Sequence, residues 1–221
     1  MWFTRNAITR KNLMALTGLF LSFFLIIHLI GNLQLLLPAD QAQTAYNTYS
    51  HFLSDFLLVK IIAYLLYASI LIHSLDAIYL FFLMKKSKGK RYVYDKRGRA
   101  SKWYTRNMTA LGVIILLFLI IHFKDFWYPY KFMEIPIDGE GYRDLYSIVI
   151  TAFKQEWYIL LYLIAFIALG YHLIHGVFSA HRSLGLYNKT YSLIIKNLSL
   201  IFAIIITLGY SIIPIFIYLY R

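Results

Sequence analysis

Five long apolar runs constrain this 221-residue chain more than any other feature; they lie near residues 13–37, 57–84, 105–123, 157–180 and 198–220. Each is close to the roughly 20 residues an α-helix needs to cross the hydrocarbon of a bilayer. Inside hydrocarbon a segment must satisfy its own backbone N–H and C=O groups, which an isolated run does only as a helix. The expected fold is an all-α membrane protein with five transmembrane helices, a single domain over residues 1–221. Composition agrees: 60% of positions are hydrophobic and 14% charged, against roughly 45–50% and 25% in soluble domains. The first run is far longer than the 7–15 residues of a signal-peptide core, no small-residue cleavage site follows it, and it reads as the first span.

The connections carry an orientation signal. Residues 85–106 are crowded with Lys and Arg against a single acid, Asp95, and Arg5, Arg10, Lys11 and residues 182–196 are also basic. Residues 124–156 are mixed, with Asp125, Glu134, Asp138, Glu140, Asp144 and Glu156 outweighing their cations. Short loops rich in Lys and Arg stay in the cytoplasm, so the N-terminus is expected inside and the C-terminus outside. The net charge of +12 follows from this bias and from attraction to anionic headgroups of the lipid bilayer; no nucleic acid is expected as a partner. Trp103, Tyr104, Trp127, Tyr128, Trp157 and Tyr158 sit at span ends, where they fit an interfacial aromatic belt.

His28, His73, His122 and His172 lie one in each of the first four apolar runs. An ionisable side chain in hydrocarbon is costly and by default marks function. A neutral imidazole bound to a metal has its lone pair satisfied, while its other N–H can bond to a carbonyl. Four such residues make two axial pairs, and two axial pairs suggest two haems. The absence of cysteine excludes disulfides, thiolate zinc sites and any iron–sulfur cluster held by this chain alone.

Depth sorts the four histidines. At 1.5 Å per residue His28 lies roughly 22 Å along an outward-going helix and His122 roughly 25 Å along another, so both belong near the outer face. His73 and His172 lie on inward-going helices, roughly 15–18 Å from their cytoplasmic ends. The expected pairs are His28 with His122 and His73 with His172, from spans one and three and spans two and four. Gly18 precedes His28 by ten residues, as Gly112 precedes His122, and Gly176 follows His172 at i+4, with Ala77 at the same offset from His73. Residues four apart share a helix face, and a small residue there leaves room for a flat macrocycle; such residues also allow plain helix packing.

The segments Thr17-Gly-Leu-Phe-Leu-Ser-Phe-Phe-Leu-Ile-Ile-His28, Met108-Thr with His122, and His172-x-x-x-Gly176-Val-Phe178 resemble the five-helix, di-haem cytochrome b subunit that anchors bacterial succinate:quinone oxidoreductases and fumarate reductases. The resemblance covers all five spans. It implies a multi-pass protein of the bacterial cytoplasmic membrane whose first four helices form a haem-binding bundle. It also implies two b-type haems on the four histidines, menaquinone or another quinone as substrate, and flavoprotein and iron–sulfur subunits as partners on the cytoplasmic side. Two other readings of the histidines stand beside it: a di-haem cytochrome b of another quinone-linked dehydrogenase or hydrogenase, and a haem-free transporter relaying protons.

Near the end of the fourth span His175 and His181 compete with His172, but only His172 lies deep enough to meet His73; His175 suits a haem propionate or a neighbouring helix. Asp55, at the outer start of the second span, is either a helix cap or the group that exchanges protons with a quinone. Lys60 is expected to snorkel outward, and His51 to be solvated or to assist quinone protonation. Lys102 and Arg106 are candidate counter-charges for propionates at the inner side. Asp76 needs a partner, expected from the basic loop at residues 85–106.

Overall fold

In a computed structural model of the chain, residues 7–87, 102–186 and 188–221 are described. They are helical almost throughout, with no named strand among them and one isolated bridge between Ile137 and Arg143. Helix α1 (Ala7–Asn32) is followed by a 3-10 turn (Leu33–Leu36), then α2 (Ala39–Asp55) and α3 (Leu57–Ser87). A short α4 (Trp103–Arg106) leads into α5 (Met108–His122), a π-helical turn (Phe123–Trp127) and α6 (Tyr128–Phe132). The chain ends with α7 (Leu145–Phe153), α8 (Glu156–Ser183) and α9 (Lys189–Tyr220). Five stretches are long and apolar enough to cross a membrane: Ile8–Leu36, Leu57–Leu83, Met108–Phe132, Glu156–Ser183 and Thr190–Tyr220.

The number of spans is the expected one, but two boundaries move. The third span does not stop at Phe123: helix continues through the π-turn to Phe132. Lys124 and Asp125, which look like the water boundary in sequence, pair with each other at 3.1 Å, while the neighbouring Phe126 and Tyr130 are buried. The fifth helix starts at Lys189 rather than Leu198, capped by the Asn188 carbonyl oxygen of its side chain, which accepts from the Thr190 N–H at 2.9 Å. The polar connection over residues 41–55 is itself the helix α2, begun after Pro38. Asp76 is partnered by Arg10 of α1 at 2.5 Å and not by the basic loop, of which residues 88–101 lie outside the described part.

The first four spans form a ring. Helix α1 packs on α3 and α8, α5 packs on α8 and on α3, and α9 lies outside the ring against α8 and α1. In a bilayer there is no water to drive helices together, so close packing and polar contacts do the work. The α8–α9 seam depends on Gly170, where a methyl group would collide with the Thr207 hydroxyl. Tyr210 of α9 is buried and donates to the Leu25 carbonyl of α1 at 2.8 Å. Large apolar side chains such as Leu57, Leu58, Ile61 and Leu71 on α3 and Leu200, Ile204 and Leu208 on α9 point away from the protein, as a lipid-facing surface requires.

At the end of the bundle away from the N-terminus, α2 is tied to the 133–145 connection by a fully buried side chain, Asn47. Its amide donates to Asp144 and to Asp138, each at 2.9 Å, and its oxygen accepts from the Tyr146 N–H at 3.0 Å. Burial raises the Asp144 carboxyl, but hydrogen bonds from Ser147, Asn47 and Gln43 outweigh it and hold the group below its ordinary value of 3.8. A carboxyl lowered on folding stabilises the fold fully above its unfolded value and loses that contribution as pH falls through the folded one.

Asn47→Ala should therefore destabilise the protein by about 2 kcal/mol, because it leaves the Tyr146 N–H without its acceptor and removes a donor from the buried Asp144 and another from the half-buried Asp138. Thermal unfolding in detergent should show this as a lowered midpoint. The difference between wild type and Asp144→Asn should shrink as pH drops below 3.8 and be largest near neutrality.

Candidate functional site

Diagonal helices of a four-helix ring meet only through its centre, and there the four histidines converge. His28 of α1 and His122 of α5 have ring centres 5.8 Å apart, with planes at 87°. His73 of α3 and His172 of α8 have ring centres 6.2 Å apart, with planes at 64°. Two imidazoles on one metal ion, each with a metal–nitrogen bond of about 2 Å, place their ring centres about 6 Å apart. Both couples have that spacing. Among the described residues no group of three or more His, Asp or Glu could hold a metal ion, so any metal here would rely on two protein ligands per site.

The couples are stacked along the bundle axis. An added Cβ at Gly18 would lie 3.2 Å from His73 Cε1, and one at Gly112 3.9 Å from His172 Cε1. Ten residues separate Gly18 from His28, about 15 Å of helix. The glycines that precede His28 and His122 in sequence thus flank the other couple. Gly176 joins them, its added Cβ 3.9 Å from His172 Cδ2. Three glycines therefore border the His73–His172 couple; an apolar groove of about 270 Å³ runs between α3 and the third span, lined among others by Ile70, Ser74, Ile78, Leu116 and Phe123.

Each couple contains one imidazole anchored through Nδ1 to a hydroxyl. His73 Nδ1 lies 3.2 Å from Thr17 Oγ1, and the Thr17 hydroxyl donates to the Leu13 carbonyl at 2.8 Å. The threonine oxygen is left to accept, so the ring carries its proton on Nδ1 and presents the Nε2 lone pair. His122 Nδ1 lies 3.0 Å from the Tyr162 hydroxyl. The other members are freer. His172 Nδ1 is buried with no hydrogen-bond partner among the described residues, and a buried polar atom left unpaired is costly. The Asn32 amide lies 3.5 Å from His28 Nε2 and bonds instead to the His28 carbonyl at 2.8 Å; a contact so long does not compete with a metal.

The remaining candidates occupy the two ends. His175 Nδ1 meets Thr105 Oγ1 of α4 at 3.2 Å, while His181 Nδ1 sits 2.9 Å from the Val177 carbonyl of its own helix. Lys102 and Arg106 are exposed at the N-terminal end of the bundle, Lys102 Nζ 5.7 Å from the Tyr104 ring centre. At the far end Asp55 closes α2, well exposed and 3.3 Å from His51, and His51 stacks on Tyr142 at 4.6 Å. Lys60 is exposed one turn into α3.

Several polar residues at the centre have no distinct signal in the sequence. Thr17 lies in the segment that leads to His28, yet nothing along the chain tells which ring its hydroxyl meets. Tyr158 is not part of an interfacial belt: it is buried, like Tyr162 four residues on, because α8 turns this face into the ring. Trp127 is half-buried and donates to the Tyr67 hydroxyl of α3 at 2.7 Å. The i, i+4 spacing of Tyr158 and Tyr162 was the available signal.

Compared with models of protein families, with curated proteins and with solved structures, the chain matches none.

Because the chain has no cysteine, its geometry can be tested directly. Double replacement of His28 with His122, or of His73 with His172, by cysteine should allow intramolecular cross-linking by a short bifunctional thiol reagent. The combination of positions 28 and 73 should not cross-link; equal yield for that pair would rule out the two-level arrangement.

Proposed function

We propose that this chain is the membrane-anchor and electron-transfer subunit of a bacterial succinate:quinone oxidoreductase, with one b-type haem held by His28 and His122 and another by His73 and His172. The observation that carries the reading is the spacing of the imidazoles. Two couples, each at the separation that one metal ion imposes, sit across opposite diagonals of one helix ring. A couple alone would be unremarkable packing; two, with glycines bordering one of them and an orphaned ring nitrogen in the same one, share a chemical rationale.

The protein's own groups have assignable duties. Held by His28 with His122 and by His73 with His172, haem iron would supply one-electron transfer. His73 and His122 are presented in the ligating form by Thr17 and Tyr162, since a bond at Nδ1 sets which nitrogen is free. Gly18, Gly112 and Gly176 keep side chains away from the His73–His172 couple, where a macrocycle must approach the backbone. Lys102 and Arg106, at the end that also holds the Arg10–Asp76 pair, supply positive charge for propionates there.

The basic end faces the cytoplasm in this reading, by the positive-inside bias of residues 85–106 and 182–196. It is the end that flavoprotein and iron–sulfur subunits would cover. The far end faces outward and serves a quinone. Asp55, solvent-exposed beside His51, would exchange protons with such a quinone through the interfacial water. Both assignments rest on the family resemblance together with charge distribution.

Reduced-minus-oxidised optical spectra of the purified chain should show b-type haem bands, at two haems per chain. His73→Ala and His172→Ala should each remove the same haem and spare much of the other, and His28→Ala and His122→Ala the second one. Absence of the bands in the wild type would overturn the proposal, and joint dependence of one haem on His28 and His73 would overturn the pairing.

A further inference from the structure

Beyond the two couples, a chain of hydrogen bonds runs from His122 to the far surface of the bundle. His122 Nδ1 lies 3.0 Å from the Tyr162 hydroxyl, which lies 3.3 Å from the Tyr158 hydroxyl, which donates to Asp125 Oδ2 at 3.2 Å. Tyr158 and Tyr162 are buried, whereas Asp125 is partly exposed and sits 3.1 Å from Lys124 Nζ. Asp125 belongs to the π-helical turn that begins directly after His122. A π-turn shifts the register of the residues that follow it and is frequent at functional sites.

The polarity of the chain follows from its chemistry. A carboxylate only accepts, so the Tyr158 hydroxyl hydrogen is committed to Asp125. Between the two tyrosines Tyr162 must then donate, which uses its only hydrogen. Its oxygen can do nothing toward His122 but accept, so His122 must carry its proton on Nδ1 and keep the Nε2 lone pair free. Its partner in the couple has no such chain: among the described residues the polar contact at the His28 ring is the long one to the Asn32 amide.

We infer that Asp125, Tyr158 and Tyr162 are positioning residues that lock His122 as the Nδ1–H tautomer and make it the stronger electron donor of the outer couple. The inference rests on the reading of that couple as a haem-iron site for its consequence, but the tautomer itself is a property of the chain. A carboxylate acting through hydroxyls on Nδ1–H increases the basicity of Nε2. The Thr17 hydroxyl plays the corresponding part for His73, but its hydrogen goes to the Leu13 carbonyl and not on to a carboxylate, so the two couples should differ in how strongly their ligands donate.

The test uses the purified full-length chain, selectively 15N-labelled at histidine, in its reduced state. His122 should show a protonated Nδ1 protected from exchange, and Tyr162→Phe should abolish that protection without altering His73. Thr17→Val should do the reverse. In the same samples Tyr162→Phe should weaken retention of the outer haem about 10-fold or more and raise its midpoint potential, leaving the inner haem unmoved. A protonated Nε2 at His122 in the wild type, or unchanged Nδ1 protection in Tyr162→Phe, would overturn the inference. So would equal shifts of both haems, since a merely structural role for Tyr162 predicts that. Tyr158→Phe, which breaks the chain one link further out, decides the matter if Tyr162→Phe does not fold: it should lower Nδ1 protection in the same direction, and no change would count against the chain. If the protein contains no haem, the functional proposal fails, while the tautomer measurement still decides the inference.

Discussion

Everything at the centre of this protein follows from placing polar rings where no water can satisfy them. In hydrocarbon an unpaired imidazole nitrogen is costly, and the helices are arranged so that the rings find each other and a few hydroxyls. Spans one and three, and two and four, are not neighbours around the ring, so their side chains touch only on its axis. The two diagonals hold the two couples at two levels. Helix crossing, glycine placement and the inward turn of α8 all serve that convergence.

The couples are alike in spacing and unlike in support. His73 is anchored by a threonine whose own hydrogen closes onto its helix, a local and self-contained device. His122 is anchored through two buried tyrosines to a carboxylate near the far surface. His172 has no partner at Nδ1 among the described residues, and three glycines border the couple. Such asymmetry is what two sites of different potential would require under the electron-transfer reading, because hydrogen bonding to a ligand's second nitrogen is one of the levers by which a protein tunes an iron.

The far end is built on another principle. Asn47 is completely buried and joins α2 to Asp138, Asp144 and the start of α7. Buried apolar side chains such as Leu35, Tyr46, Val149 and Phe153 pack this cap, and the satisfied hydrogen bonds around Asn47 fix how its segments meet. The cap covers the end toward which the Asp125–Tyr158–Tyr162 chain runs, and it brings His51 and Asp55 to the surface beside Tyr142. The opposite end relies on the Arg10–Asp76 pair, with the guanidinium 4.0 Å over the Tyr79 ring.

Five helical spans were legible in the residue order because hydrocarbon imposes a length and an apolar composition that few other structures share. The pairing of the histidines by level was legible too, since the rise per residue converts sequence position into depth once the direction of each helix is known. Where polarity misled, side chains neutralised each other or turned inward: Lys124 with Asp125 inside a continuing helix, Tyr158 into the ring, Asp76 onto Arg10. Residue order carries depth along an axis but not rotation about it. Which hydroxyl meets which imidazole, which glycine borders which couple, and the register shift of the π-turn that brings Asp125 to Tyr158 were decided only by how the helices turn and pack against one another.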